Sequence, residues 1–179
     1  HIYGRLTSSF ETNGSVTRNE GTIGMSSKKA DLRLFGSFAK GTDYKDGNDQ
    51  KVPADFMRAS AGATLAFKVS GYQTLSLTAT RNFARDTDFP ALPMDLRSDD
   101  TWLLNAKHIA NFRDKNLKTW TTAIYATFVD HKMDNLSKSI EPRTMNAYTP
   151  AKTKTYGGKT EGSWQTGNSK LFAGADLRI

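Results

Sequence analysis

The chain of 179 residues contains no cysteine, which excludes disulfides and thiolate metal sites within it. Nowhere does it carry a run of about 18 apolar residues, so no transmembrane helix can form. A membrane-crossing strand needs only about 10 residues and no such run. Histidine is limited to His1, His108 and His131, and neither Gly-x-Ser-x-Gly nor His-Glu-x-x-His occurs. The chain therefore reads as a protein that makes and breaks no bonds. Its adjacent carboxylates Asp99 and Asp100 would point to opposite faces of a strand, which suits loop-end solvation better than acid/base work. Proline numbers only 5, and Thr, Ser, Ala and aromatics stand where a soluble core would use Leu, Ile and Val.

Charge is present but dispersed. The formal balance of +7 raises the question of nucleic acid, yet no basic helix or known motif accompanies it, and no nucleic-acid partner is expected. Lys28 and Lys29 fall in a turn, while Lys40, Lys45 and Lys51 flank a loop that also holds Asp43, Asp46 and Asp49. His1 opens directly into a strand-like segment, so any targeting sequence is expected to be cleaved or to lie outside these residues.

What fills the chain is alternation with period two. Leu75, Leu77 and Ala79 interleave with Thr74, Ser76, Thr78 and Thr80; Trp120, Thr122, Ile124, Ala126 and Phe128 interleave with Thr119, Thr121, Tyr125 and Thr127. One face is apolar and the other hydroxylic, which is the strand signal. Apolar residues make up 37% and mean hydropathy is −0.58, a balance that suits a barrel with a wet interior, where one residue in two meets lipid. The alternation predicts eight or nine strands, near 2–11, 17–27, 30–40, 56–68, 72–84, 100–112, 117–131, 153–166 and 169–179. Tight turns near Lys28, Ser70, Asp114 and Asn168 alternate strictly with long connections at 41–55, 85–99 and 132–152. Short periplasmic turns and long extracellular loops are the habit of outer-membrane barrels. The predicted fold is thus all-β, an antiparallel transmembrane β-barrel segment in a bacterial outer membrane. A soluble lipocalin-like carrier shares the alternation with its apolar face turned inward.

Three segments carry candidate chemistry. The loop from Asp43 to Asp49 is rich in oxygens but lacks EF-hand spacing and its terminal Glu, and Asp-Gly-Asn is common turn chemistry. Phe89-Pro-Ala-Leu-Pro-Met94-Asp-Leu96 is a stiff long loop, either packed on the barrel rim or walling a ligand entrance. His131-Lys132-Met133 is the sharpest feature. Odd positions of that strand carry the polar face, so His131 and Met133 would both face the lumen near the extracellular rim if the strand stays extended. Imidazole with thioether is a soft donor pair suited to copper, Cu(I) above all, and unattractive to Mg²⁺ or Ca²⁺.

The stretch Phe128-Val-Asp-His131-Lys-Met133-Asp-Asn135, with Met145-Asn-Ala147, Thr155-Tyr-Gly-Gly158 through Trp164, and Asp86-Thr-Asp-Phe-Pro-Ala-Leu-Pro-Met94 through Trp102, resembles the barrel of TonB-dependent outer-membrane receptors. It is most similar to their copper-receptor branch, and the matching segments cover most of residues 80 to 165. The resemblance implies a 22-strand barrel closed by an N-terminal plug, a TonB partner engaged through that plug, contact with outer-membrane lipid, and import of a metal species or chelate. In the copper branch a His-x-Met pair on the barrel meets a Cys-x-x-x-Met pair on the plug. His131 and Met133 match the first pair residue by residue, and the second is absent here, as are the plug and a recognisable TonB box. Ile179 also stands where such barrels often end in an aromatic. Residues 1–179 are accordingly expected to form one partial barrel domain that holds no cofactor of its own, with copper as the cargo. A receptor for siderophore, haem or another chelate, and a small self-contained outer-membrane barrel that binds through its loops, are the alternatives.

Overall fold

Alternating sequences of this kind can satisfy their backbone groups only by pairing edge to edge, and they do so throughout. The computed structural model describes residues 1–113, 116–138, 142 and 144–179; the turn expected near Asp114 lies outside them. The strands are β1 (Ile2–Glu11), β2 (Val16–Ser26), β3 (Ala30–Gly41), β4 (Tyr44–Lys45), β5 (Lys51–Val52), β6 (Phe56–Ser70), β7 (Gln73–Thr87), β8 (Asp95–Asn111), β9 (Leu117–Asp134), β10 (Tyr148–Thr166) and β11 (Ser169–Arg178). Nine of them form one sheet in the order β1-β2-β3-β6-β7-β8-β9-β10-β11, every pair antiparallel, while β4 and β5 form a separate small hairpin. The sheet ends at β1 on one edge and β11 on the other, so these nine strands do not close on one another.

The expected strands are all present, and the connections differ in three respects. First, β7 and β8 run on to Thr87 and back to Asp95, and β9 and β10 reach Asp134 and Tyr148. The loops expected at 85–99 and 132–152 shrink to residues 88–94 and 135–147. Apolar alternation stops where neither face meets an apolar medium, but ladder hydrogen bonds need no apolar face and continue. Second, the alternation of long and short connections is not strict. The β1–β2 connection, Thr12 to Ser15, lies at the same end as the long loops yet is only a tight turn, with Gly14 at φ +83° and Ser15 at +47°. A Cβ on Gly14 would meet the Thr42 carbonyl oxygen at 3.0 Å, and the Thr42 amide donates to the Gly14 carbonyl at 2.7 Å. Third, the 41–55 loop contains the β4–β5 hairpin. Its turn is held by Asp46, whose Oδ1 accepts from the amides of Asn48 (2.8 Å) and Gln50 (3.0 Å), the local side-chain chemistry expected of Asp at a turn.

This sheet has no second layer. Each strand touches only its sheet neighbours, and among the described residues the buried apolar side chains are Val16, Leu96 and Ala110 alone. Large apolar groups stand uncovered instead: Leu6 is 81% exposed, Ile124 61% and Leu177 69%. They share one face. The registers link Leu34, Ala63, Ala79, Leu104, Ala126 and Tyr156 in one cross-strand row, and Leu32, Leu65, Leu77, Ala106, Ile124 and Gly158 in the row beside it. The opposite face carries the hydroxyl ladders, such as Thr64 to Thr78 at 3.2 Å and Thr119 to Ser163 at 2.6 Å. On that polar face the Tyr125 ring lies over Gly157, where any Cβ would collide with it.

Candidate metal centre

The site grows out of the upper part of β9. From Asp134 opposite Tyr148 down to Thr119 opposite Ser163, β9 and β10 pair without a break. Parity is therefore conserved along β9, and His131 and Met133 stand on the polar face, one residue apart. Both lie beyond Phe128, which packs edge to face on Tyr156 at the margin of the apolar face (5.8 Å, 81°). Their β10 partners are small: Ala151 opposite His131 and Thr149 opposite Met133. Little side-chain bulk from that strand competes for the space in front of them.

On the other flank β8 supplies the group that fixes the imidazole. Asp99 is the direct register partner of His131, and its Oδ2 lies 2.8 Å from His131 Nδ1. A carboxylate only accepts, so Nδ1–H donates, and in the neutral ring this leaves the lone pair on Nε2. A carboxylate behind a histidine is the usual means of fixing the tautomer of a metal ligand. Asp99 is itself held by Thr101 Oγ1, which donates to Oδ1 at 2.9 Å. Asp100, one residue on, points the other way, to Arg81 at 2.8 Å and to Arg85. The two carboxylates do take opposite faces, as the sequence predicts, but inside a strand and with specific partners.

A one-residue bulge at Arg97 separates this pairing from Leu96, which stands opposite Met133 and is 7% exposed. Bulges re-aim the side chain they insert. Here Arg97 reaches Asp134 (Nε to Oδ2, 2.7 Å), a residue only 4% exposed, and Ser137 in the following loop. Asp95, 2% exposed, accepts from Lys138 Nζ at 2.7 Å and from the Phe89 amide at 2.9 Å, while Lys138 also donates to the Phe89 carbonyl at 2.6 Å. Asn135 closes the base of its loop through the Ala147 amide (2.8 Å) and the Met145 carbonyl (3.0 Å). The proline-rich segment is thus tied to the strand ends beside the His131 pair, which fits the rim-packing reading; Leu92 at its tip remains 49% exposed.

A second cluster was not visible in sequence. Carboxylate oxygens of Asp43, Asp55 and Asp88, from two different loops, lie within 4.8 Å of one another. Burial first, and then the Asp55 carboxyl, push the Asp88 carboxyl up to about 6. Asp43 is held below the usual carboxylate range by its hydrogen bond from Lys51 and by the Ala54 amide. No spacing rule joins residues 43, 55 and 88, and only the β6–β7 pairing brings their loops together. Asp99 was legible in part, because counting odd positions back along β8 places it on the polar face, provided the strand is extended to include it.

Neither a family model nor a curated relative matches the chain. Among solved structures, the copper transporter OprC superimposes with a TM-score of 0.88 at 20% identity, over 99% of this chain and 28% of that one. The chain therefore spans less than a third of that structure's length. At this identity the likeness establishes the fold: an antiparallel nine-stranded sheet that matches a segment of the wall of a larger barrel.

Proposed function

We propose that the chain is part of the wall of a TonB-dependent outer-membrane receptor that imports a metal species, copper first among them, with His131 and Met133 as lumenal ligands. The observation that carries this reading is the pairing of His131 with Asp99 across β8 and β9, which leaves Nε2 as a donor on the face it shares with Met133. The uncovered apolar face supports the membrane placement: with no second layer, lipid is the cover that a sheet of this kind requires. On this reading the polar face lines the lumen, and residues 88–94 and 135–147 face the cell exterior.

Transport rather than bond-making is the activity. Cargo arrives at the rim, binds His131 and Met133 together with donors from a plug supplied outside this stretch, and is released when TonB moves that plug. Two ligands make half of a typical soft-metal site, so affinity depends on the second half. Residues 1–179 are then a single partial barrel domain. The test is copper uptake and metal content in cells that carry the full-length receptor with His131→Ala or Met133→Ala. Both should fall to the level of receptor-free cells. Unchanged uptake and stoichiometry would remove copper from the account, and rescue of growth by iron chelates without a copper phenotype would assign the receptor to chelates instead.

A further inference from the structure

Toward the long loops the apolar face becomes charged across β7 to β10. In successive rows above the Leu104 row, toward the long loops, stand Arg81 and Lys154, then Asp100, Asp130 and Lys152, then Arg85 and Lys132. All have the parity of Leu104, Ala126 and Tyr156, so they project from the face that meets lipid. Five cations against two carboxylates leave a formal +3. Asp100 is shared by Arg81 and Arg85, and Asp130 by Lys132 at 3.8 Å and Lys152 at 3.3 Å. Among the described residues Lys154 has no acidic partner. Lys152 is 75% exposed and Lys132 40%.

Their level is set by the aromatic residues beneath them. Phe83 on β7 stands one register row above Trp102 and Phe128, which pair directly across β8 and β9, and Tyr156 on β10 stands one row below them, so the four form a band of the kind that marks a membrane interface. Each charged group lies two or four residues above the aromatic of its own strand, save Arg81, which lies two below Phe83 and stacks its guanidinium over Trp102 (5.7 Å). At about 3.4 Å per residue the others stand roughly 7 to 14 Å along the strand from that aromatic, and correspondingly less in height because barrel strands tilt. That is the depth of lipid headgroups, not of lumen or solvent.

We infer that this outward patch, Arg81, Arg85, Lys132, Lys152 and Lys154, binds the phosphate groups of an anionic glycolipid in the surrounding leaflet. Arg81, held by Asp100 through Nε and Nη2, keeps Nη1 as a donor for a phosphate oxygen; Arg85, bound to Asp100 and to two backbone carbonyls, adds charge, and the three lysines supply mobile charge around them. Two carboxylates leave this cluster an excess of three positive charges, and at headgroup level the anions that can balance it are lipid phosphates. The inference rests on the membrane placement proposed above.

The test uses the full-length receptor in detergent, titrated with bisphosphorylated lipid A and with its dephosphorylated form. The triple variant Lys132→Gln/Lys152→Gln/Lys154→Gln should lose affinity for the phosphorylated lipid by at least roughly tenfold. It should bind the dephosphorylated lipid as the parent does, and the triple Lys→Arg variant should keep parental affinity, which separates charge from folding. Lys107→Gln/Lys159→Gln on the polar face should change nothing. Equal binding of phosphorylated lipid A by parent and Gln variant would overturn this inference and leave the membrane placement standing. A parent protein that never partitions into the outer-membrane fraction would overturn both.

Discussion

Asp99 and Asp100 are neighbours in the chain and belong to different faces of the same wall. Asp99 stands beside a hydroxyl and an imidazole on the polar face; Asp100 is gripped by two guanidiniums on the apolar one. The backbone of β8 treats them alike, since both donate and accept in the same ladder. What separates them is parity, and the medium each parity meets. Above the aromatic margin the apolar face no longer has to be apolar, and the polar face no longer has to be merely hydroxylic, so both acquire charge and chemistry there.

The contrast can be broken most sharply in the middle of the strand. Leu104→Lys puts a charge on the lipid face near mid-wall and should destabilise the folded receptor by about 2–4 kcal/mol, whereas Asn105→Lys on the lumenal side should leave it nearly unchanged. Urea titration of the receptor refolded into lipid vesicles reads both. Equal costs for the two would mean that the faces are wrongly assigned.

At the rim the same comparison predicts a division of labour. Asp99→Ala removes the acceptor that fixes His131 and should weaken Cu(I) binding by about 10–100-fold, the usual effect of losing such a partner. Asp100→Asn should leave metal affinity alone and change stability by no more than about 1 kcal/mol, because its ion pairs are part-exposed. A competition titration with a Cu(I) chelator separates the two variants.

The smallest effect sits in the loops. Asp88 keeps its proton up to about pH 6, above its unfolded value, so the folded state binds more protons than the unfolded state between about pH 4 and 6. Stability should therefore fall as pH rises through that window and level off above it. Asp88→Asn should flatten the profile, checked by thermal unfolding at pH 4.5 and 7.5. A profile that stays unchanged in the variant would assign the dependence elsewhere.

Much of this was legible in the sequence, and the reasons are physical. Period-two alternation across Leu75 to Thr80 or Trp120 to Phe128 exists because a single layer here has one apolar and one hydroxylic face, so strand number and direction could be read directly. His131 and Met133 could be placed on one face because β9 does not bulge between Thr119 and Asp134. Strand ends were misjudged because pairing at Asp95 or Tyr148 needs no apolar face. The bulge at Arg97 and the meeting of Asp43, Asp55 and Asp88 were invisible, since each depends on which loops the sheet order brings together. The tight Thr12–Ser15 turn was missed as an exception because loop length was inferred from a rule of sides, whereas Gly14 and Thr42 fix it locally.

The central claim is that β9 presents an imidazole and a thioether to one cargo ion. X-ray absorption at the copper edge of the full-length receptor loaded with Cu(I) tests it most directly. The account predicts a shell containing imidazole nitrogen and sulfur, with the nitrogen lost in His131→Ala and part of the sulfur lost in Met133→Ala. A copper shell identical in the parent and in both variants would contradict it.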